Sequence, residues 1–259
     1  EGLQRGITKR KKQVDSTLTS GFTPSELRPR HVILSYQHRM HPEISDLPRE
    51  IFYKNEALKD AQYPQTMQEK RAWTYSNYRK RRIWLDVDGK TERNRNRKEA
   101  MVIEEELRKF SQWALDNPNP TTGSQGRWSV ACLTFYRGQE KELRERLRKF
   151  CHQFHKMSRF QKNNLDIFLY TVDKFQGHEA DIVFLSMVQT HRLGFLDSPN
   201  RLNVAITRAR YQLVIIGKYS NFADQIKSEE LQNLAIKTSL ERKEFDESRI
   251  QKKSHGREI

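Results

Sequence analysis

Four stretches of this sequence concentrate side chains able to grip phosphate or the polar groups of a ligand. The first is Tyr36-Gln37-His38-Arg39-Met40-His41-Pro42, directly after the apolar run Val32–Leu34. If that run is a strand, Arg39 follows its carboxyl end, where open α/β sheets hold their ligands. A guanidinium suits phosphate there, because its planar fork donates two parallel charge-assisted hydrogen bonds. The second stretch is Thr171–Asp181, in which Gly177 permits a backbone conformation other residues resist. Gln176 and Glu179 flank it and can hydrogen-bond the hydroxyls or amides of a ligand. The third is Asn200–Arg210. Read as one helix, its apolar stripe leaves Arg201 and Arg208 on one flank, and Asn203, Thr207 and Arg210 on the other. Two arginines on one flank can clamp a phosphate. The fourth is Thr134-Phe135-Tyr136-Arg137-Gly138-Gln139, which joins a hydroxyl and aromatic surface to a phosphate donor, the combination single-strand binding uses.

Taken singly, each stretch also has a plainer reading. Arg39 is a loop arginine, the Gln176-Gly177-x-Glu179 turn is a capped connection, and helix arginines cover apolar surface with their stems. Metal chemistry finds less support. His38 and His41 lack carboxylate or cysteine partners to complete four ligands, and so do Cys151, His152 and His155 on one predicted helix. No metal site is assigned.

The elements that must position these residues follow from the apolar pattern. Strands are expected at Val32–Leu34, Ile83–Val87, Ser129–Phe135, Ile167–Thr171, Ile182–Val188 and Leu213–Ile216. Most are continuous apolar runs, as in a sheet covered on both faces. Pro42 suits the first turn of a helix through Leu47. Three helical stripes lie between the strands: Ile103, Leu107, Phe110, Ala114; Leu143, Leu147, Phe150, Phe154; and Leu202, Ala205, Ile206, Ala209. Strands alternating with helices predict an α/β fold with a mostly parallel sheet flanked by helices. The expected organisation is a basic linker or tail over 1–30, the α/β body over 31–220 and a polar extension over 221–259.

Composition narrows the partners. The 48 Lys and Arg residues exceed the 33 Asp and Glu by 15, which favours a polyanion such as nucleic acid. Much of the excess sits in insertions: eleven basic against four acidic residues over Gln68–Lys98, and nine against three over Arg137–Lys162. Within the first of these, Arg93 to Lys98 looks like a loop by composition. No run of roughly 20 apolar residues is present, as a membrane-spanning helix would need, and the basic start is not followed by the apolar core of a secretory signal. Two cysteines, Cys132 and Cys151, cannot staple a scaffold. The expectation is an intracellular protein, cytoplasmic or nuclear, without a membrane partner.

The order of the four stretches is more telling than any one of them. YQHRMHPEI with IFY, then LTFYRGQ, then TVDKFQGHEADIVFLS, then GFLDSPNRLNVAITRARYQLVIIG resembles the second motor domain of superfamily 1 helicases, in the up-frameshift-like branch. The resemblance runs from about Val32 to Ile216. It implies a RecA-like fold of the P-loop NTPase type and a part in an ATP-driven motor that moves along single-stranded DNA or RNA. By the family's pattern Arg39 and Arg208 are arginine fingers at the γ-phosphate. Glu179 holds the ribose, while Gln176 and Gly177 shape the loop coupling nucleotide to strand. Thr134, Tyr136, Arg137 and Thr171 face the nucleic acid, and Arg201 supports the nucleotide side. Two positions depart from the pattern: His38 stands where the family usually places a base-stacking Tyr, and Thr134-Phe135-Tyr136 lacks the proline of the usual motif.

No G-x-x-x-x-G-K-[ST] phosphate loop occurs in the sequence. The resemblance places that loop, and the residues holding Mg²⁺, in a first RecA-like motor domain, before Glu1 or on another polypeptide. The expectation is half of an ATP site, inactive in hydrolysis alone. The competing expectation is a non-enzymatic nucleic-acid-binding or regulatory module that keeps the fold.

Overall fold

A computed structural model describes residues 36–53, 58–62, 74–78, 80–121, 126–154, 158–191, 194–196, 198–225 and 227–242. The chain divides into two units, Glu1–Tyr36 and Gln37–Ile259, and the fold described here is that of the second. The predicted strand Val32–Leu34 and the whole of 1–30 lie outside the described residues, as does His155.

Seven strands form one sheet: β1 (Arg82–Asp86), β2 (Trp128–Thr134), β3 (Arg159–Lys162), β4 (Leu165–Thr171), β5 (Ala180–Ser186), β6 (Ala209–Gly217) and β7 (Ser239–Arg242). Their spatial order is β3-β4-β2-β5-β6-β1-β7. Every pairing is parallel except β3 with β4. The helices are α1 (Pro42–Ile51), α2 (Arg97–Asp116), α3 (Arg137–Cys151), α4 (Pro199–Ile206) and α5 (Glu229–Ile236). None of the described helices is long and apolar enough to cross a membrane.

The continuous apolar runs are explained by cover on both faces. Along β2, Ala131 and Leu133 pack with α1, α4 and α5, through Ile44, Leu47, Leu202, Ala205 and Leu231. Val130 and Cys132 point the other way, onto α2 and α3 through Ile103, Leu107, Leu143 and Leu147. β5 and β6 alternate in the same way. Each fully buried aliphatic side chain contributes about 1.5–3 kcal/mol, so the sheet and its two helical layers form one rigid frame. This is the α/β architecture the pattern predicted.

Four local features matter. The third helical stripe stops early: α4 ends at Ile206, Thr207 caps it, and Ala209 already opens β6. Arg201 and Arg208 therefore do not share a helix flank, and Arg210 is a strand residue. Phe154 falls beyond α3, which ends at Cys151 with His152 in a left-handed cap, and Phe154 is exposed. β4 and β5 are not neighbours; their connection steps over β2 through a 3₁₀ turn, Val172–Phe175. Finally, the sheet does not end near 220, because α5 and β7 come from the segment read as a polar extension, with β7 paired to β1.

Candidate functional site

The predicted site residues separate into two groups at opposite edges of the sheet. Glu179 directly precedes β5, and Arg210 is the second residue of β6, so both sit at the amino-terminal edge. A register shift between β5 and β6 gives β6 one extra residue beside Asp181. Such a bulge re-aims a side chain, and Arg210 turns inward onto acids. It donates to Glu179 Oε1 from Nε at 2.9 Å and also from Nη2, and to Asp181 Oδ1 from Nη1 at 3.1 Å. Asp181 is fully buried and additionally accepts from the Ser129 backbone and hydroxyl and from Asn119.

Arg39 joins this cluster. Its Nε donates to Glu179 Oε2 at 2.5 Å and its Nη1 to the Thr207 carbonyl at 3.1 Å. The His41 backbone donates to the Arg210 carbonyl at 2.8 Å, tying the segment before α1 to the start of β6. That tie explains a correction: Arg39 lies at the amino-terminal edge, not in the carboxyl-edge crevice its position after an apolar run suggested.

Arg208 completes the group. Nε donates to the Val204 carbonyl at 2.8 Å, Nη1 to the His178 carbonyl at 3.2 Å and Nη2 to the Thr207 hydroxyl at 3.0 Å. All three acceptors are neutral, and among the described residues Arg208 makes no ion pair. Burial first, and then the nearby charge of Arg39, lower its pKa. At Glu179, burial alone would raise the carboxyl, but Arg39 and Arg210 outweigh it and hold it below the ordinary carboxylate value. Three guanidiniums thus face two carboxylates, and the cluster has positive charge left to offer an anion.

Gln176 and Gly177 lie on the same connection, both exposed. Gly177 has a φ of +86°, the left-handed region that favours glycine, with open space where a Cβ would stand. His178 is exposed, its ring 5.5 Å from that of Phe175. His38 is also exposed, next to Arg39.

The second group is a groove at the carboxyl edge. Thr134 and Thr171 are the last residues of β2 and β4. A cavity of about 520 Å³ is lined by Phe135, Tyr136, Arg137, Thr171, Lys174 and Arg201, among others. Thr134 is fully buried beneath it, its hydroxyl accepting from the Tyr136 amide at 3.3 Å, so it supports the wall and does not face the opening. Tyr136 is 3% exposed and forms the floor, while Arg137 is exposed.

Arg201 is placed here and not with the amino-edge arginines. It holds Asp173 through two bonds, Nε to Oδ1 at 2.7 Å and Nη2 to Oδ2 at 2.8 Å, and its guanidinium lies 5.5 Å from the centre of the Phe135 ring. The two groups are connected. The nine residues from Thr171 to Glu179 run from the groove to the arginine cluster, and α4 spans the same distance beside them. Arg201 with Asp173 ties the two at the groove end, and Arg208 with the His178 carbonyl ties them at the other.

The sequence reading overlooked a buried polar hub behind the groove. Glu99 is fully buried and accepts from Ser186 Oγ at 2.6 Å, the Val188 amide at 2.9 Å and Asn96 Nδ2 at 2.9 Å. Burial pushes its pKa up to about 8 against those donors. Gln139 clamps the Asn96 backbone in both directions, at 2.8 and 2.9 Å. The Asn96-x-x-Glu99 spacing, an N-cap followed three residues later by an acid, was the available signal. Among the described residues no trio of His, Cys, Asp or Glu is arranged to hold a metal ion.

A family model described as an AAA domain matches residues 16–220. Helicase sen1 of Schizosaccharomyces pombe is 36% identical over 238 residues, covering 88% of this chain and 13% of that protein. A regulator of nonsense transcripts 1 homolog of Neurospora crassa is 30% identical over 210 residues, covering 76% and 17%. An uncharacterized ATP-dependent helicase of Methanocaldococcus jannaschii is 28% identical over 232 residues, covering 84% and 30%. The chain thus spans between 13% and 30% of the length of these relatives.

Proposed function

This chain belongs to the up-frameshift-like branch of superfamily 1 helicases, and within that family we propose that it is the second RecA-like motor domain of an ATP-dependent helicase acting on single-stranded DNA or RNA. The observation that carries this reading is the pairing of two sites through one segment: the amino-edge cluster of Arg39, Glu179 and Arg208, joined by Thr171–Glu179 to a basic groove.

Bound ATP supplies the free energy of phosphoryl transfer. The residues here fit its phosphates, because Arg208 spends its donors on neutral acceptors and the cluster keeps excess positive charge. Arg39 and Arg208 would meet the terminal phosphate as arginine fingers. Glu179 would exchange its arginine partners for ribose hydroxyls, with Gln176, Gly177 and His38 nearby. Thr171, Tyr136, Arg137 and Arg201 would hold the strand, and Thr134 would brace that wall. The Mg²⁺ ligands and the phosphate loop are assigned to a first motor domain in the same protein or complex, and the domain is inactive without it. An intracellular location follows from the same reading.

The direct test pairs this chain with a motor domain carrying a phosphate loop and measures ATP hydrolysis with and without single strand. Hydrolysis by the pair, stimulated by the strand and absent from this chain alone, is the expected result. Strand binding without hydrolysis in any pairing would favour a regulatory module instead.

A further inference from the structure

Arg93 to Lys98, a loop by composition, are built otherwise: Glu92–Arg95 is a hairpin, and Arg97 and Lys98 open α2. Glu92 and Arg95 exchange backbone hydrogen bonds at 2.8 and 2.9 Å. Between them, Arg93 and Asn94 both occupy the left-handed region, with φ of 49° and 60°. That is the two-residue turn that closes tight hairpins. Its base is fixed by the buried hub, through Gln139 on the Asn96 backbone and through Thr91 on the Val188 carbonyl. Its tip rests on α3. A Cβ at Gly138 would lie 2.7 Å from the Asn94 carbonyl oxygen and 2.8 Å from that of Arg93, so only glycine admits the approach.

The hairpin stands in the line of the groove. Arg93 and Asn94 line the 520 Å³ cavity with Arg137, Lys174 and Arg201. They also line a second cavity of about 430 Å³ with Gln189, Thr190 and His191, and Tyr136 floors both. On the hairpin's outer side a basin of about 770 Å³ is lined by Lys90, Arg93, Arg95, Arg97 and Lys98 together with Asp88 and Glu92. Arg93 is common to all three. Five basic residues face two acidic ones from Asp88 to Lys98, and Asp88 is paired with Lys218 at 3.1 Å. Arg93 is exposed and, like Arg95, makes no ion pair among the described residues.

We infer that the Glu92–Arg95 hairpin is a rigid phosphate-binding spur, over which the backbone of a single nucleic-acid strand passes from the Arg137–Arg201 groove into the outer basin, with Arg93 and Arg95 as the contacting residues. The inference rests on the single-strand reading above and adds to it residues outside the four stretches that carry the family likeness. A turn whose backbone is fixed before binding has less freedom to lose on contact, which is why a rigid spur serves better than a loop. The contact is with phosphate and so is common to DNA and RNA.

The test is equilibrium binding of the 259-residue chain to labelled single-stranded oligothymidine and oligouridine across a salt series. The variant is Arg93→Asn with Arg95→Gln, since Asn tolerates the left-handed turn. Lys149→Gln with Lys227→Gln removes the same charge from exposed positions that line none of the three cavities. Each phosphate contact on a single strand adds about 0.7 to the slope of log affinity against log salt. The hairpin variant is expected to lower that slope by about 1.4 on both strands, the control leaving it unchanged. Equal slopes for the hairpin variant and the wild type would overturn the spur while leaving the strand reading intact. A wild-type chain that binds neither strand at low salt would overturn both. A matching thermal midpoint for wild type and variant shows that folding is not what changed.

Discussion

Arg39 Nε donates to Glu179 Oε2 at 2.5 Å, so two residues assigned to different ends of a nucleotide are bonded to each other. A ligand that engages both must first part them. Because Arg39 and Arg210 hold the Glu179 carboxyl below its ordinary value, the unfolded chain binds the proton more readily than the folded one. This contribution to stability is present above the unfolded value and is lost as pH falls through the folded one. The wild-type melting temperature should therefore decline on acidification below about pH 4.5, and Glu179→Gln should decline less. Parallel curves for the two proteins would show that the pair does not contribute.

Glu99 carries the opposite sign. Burial raises it from an ordinary 4.5 to about 8, so the folded state holds a proton that the unfolded state releases. Its contribution is complete below about pH 4.5 and falls away as pH rises toward 8. Glu99→Gln should flatten the dependence of the melting temperature across that window, at the cost of rearranged bonds to Asn96 and Ser186. A slope equal to the wild type's would place the titration elsewhere.

Arg201 sits in the groove with Asp173, apart from Arg39 and Arg208. Arg201→Ala should weaken single-strand binding several-fold and leave the affinity for an ATP analogue unchanged, both read by fluorescence titration of the assembled motor. Loss of nucleotide affinity with intact strand binding would return Arg201 to the nucleotide side.

Gly177 has open space where a Cβ would stand, so only its backbone angle resists substitution. Gly177→Ala should cost about 1 kcal/mol in urea unfolding, and Gly177→Asn less, because Asn tolerates that region. A loss several times larger would mean that the turn packs more tightly than this geometry describes.

What the sequence disclosed depended on burial. β2, β5 and β6 lie between two helical layers and read as unbroken apolar runs, and the alternation of Ala131 and Leu133 with Val130 and Cys132 serves both layers. β7, Ser-Leu-Glu-Arg at the sheet's edge, has no such run and was read as polar extension. The end of α4 was hidden because Ala209 continues the helical stripe and also fits the first position of a strand. Of the site, the residue types and their order were visible, but their grouping was not. Arg201 and Arg208 stand seven apart in sequence and serve different edges of the sheet, since α4 runs between them and Thr207 caps its end. The hairpin was hidden because Arg93 and Asn94 take their left-handed turn under constraints from Gly138 and Gln139, more than forty residues away.

Under the proposed function Arg208 completes an ATP site from across a domain boundary. The decisive quantity is the strand-stimulated ATPase rate of the assembled two-domain motor carrying Arg208→Ala. A transition-state arginine is worth about 10³-fold or more in rate, so the rate should fall by at least that factor while strand affinity is retained. A variant that hydrolyses ATP at the wild-type rate would contradict the assignment.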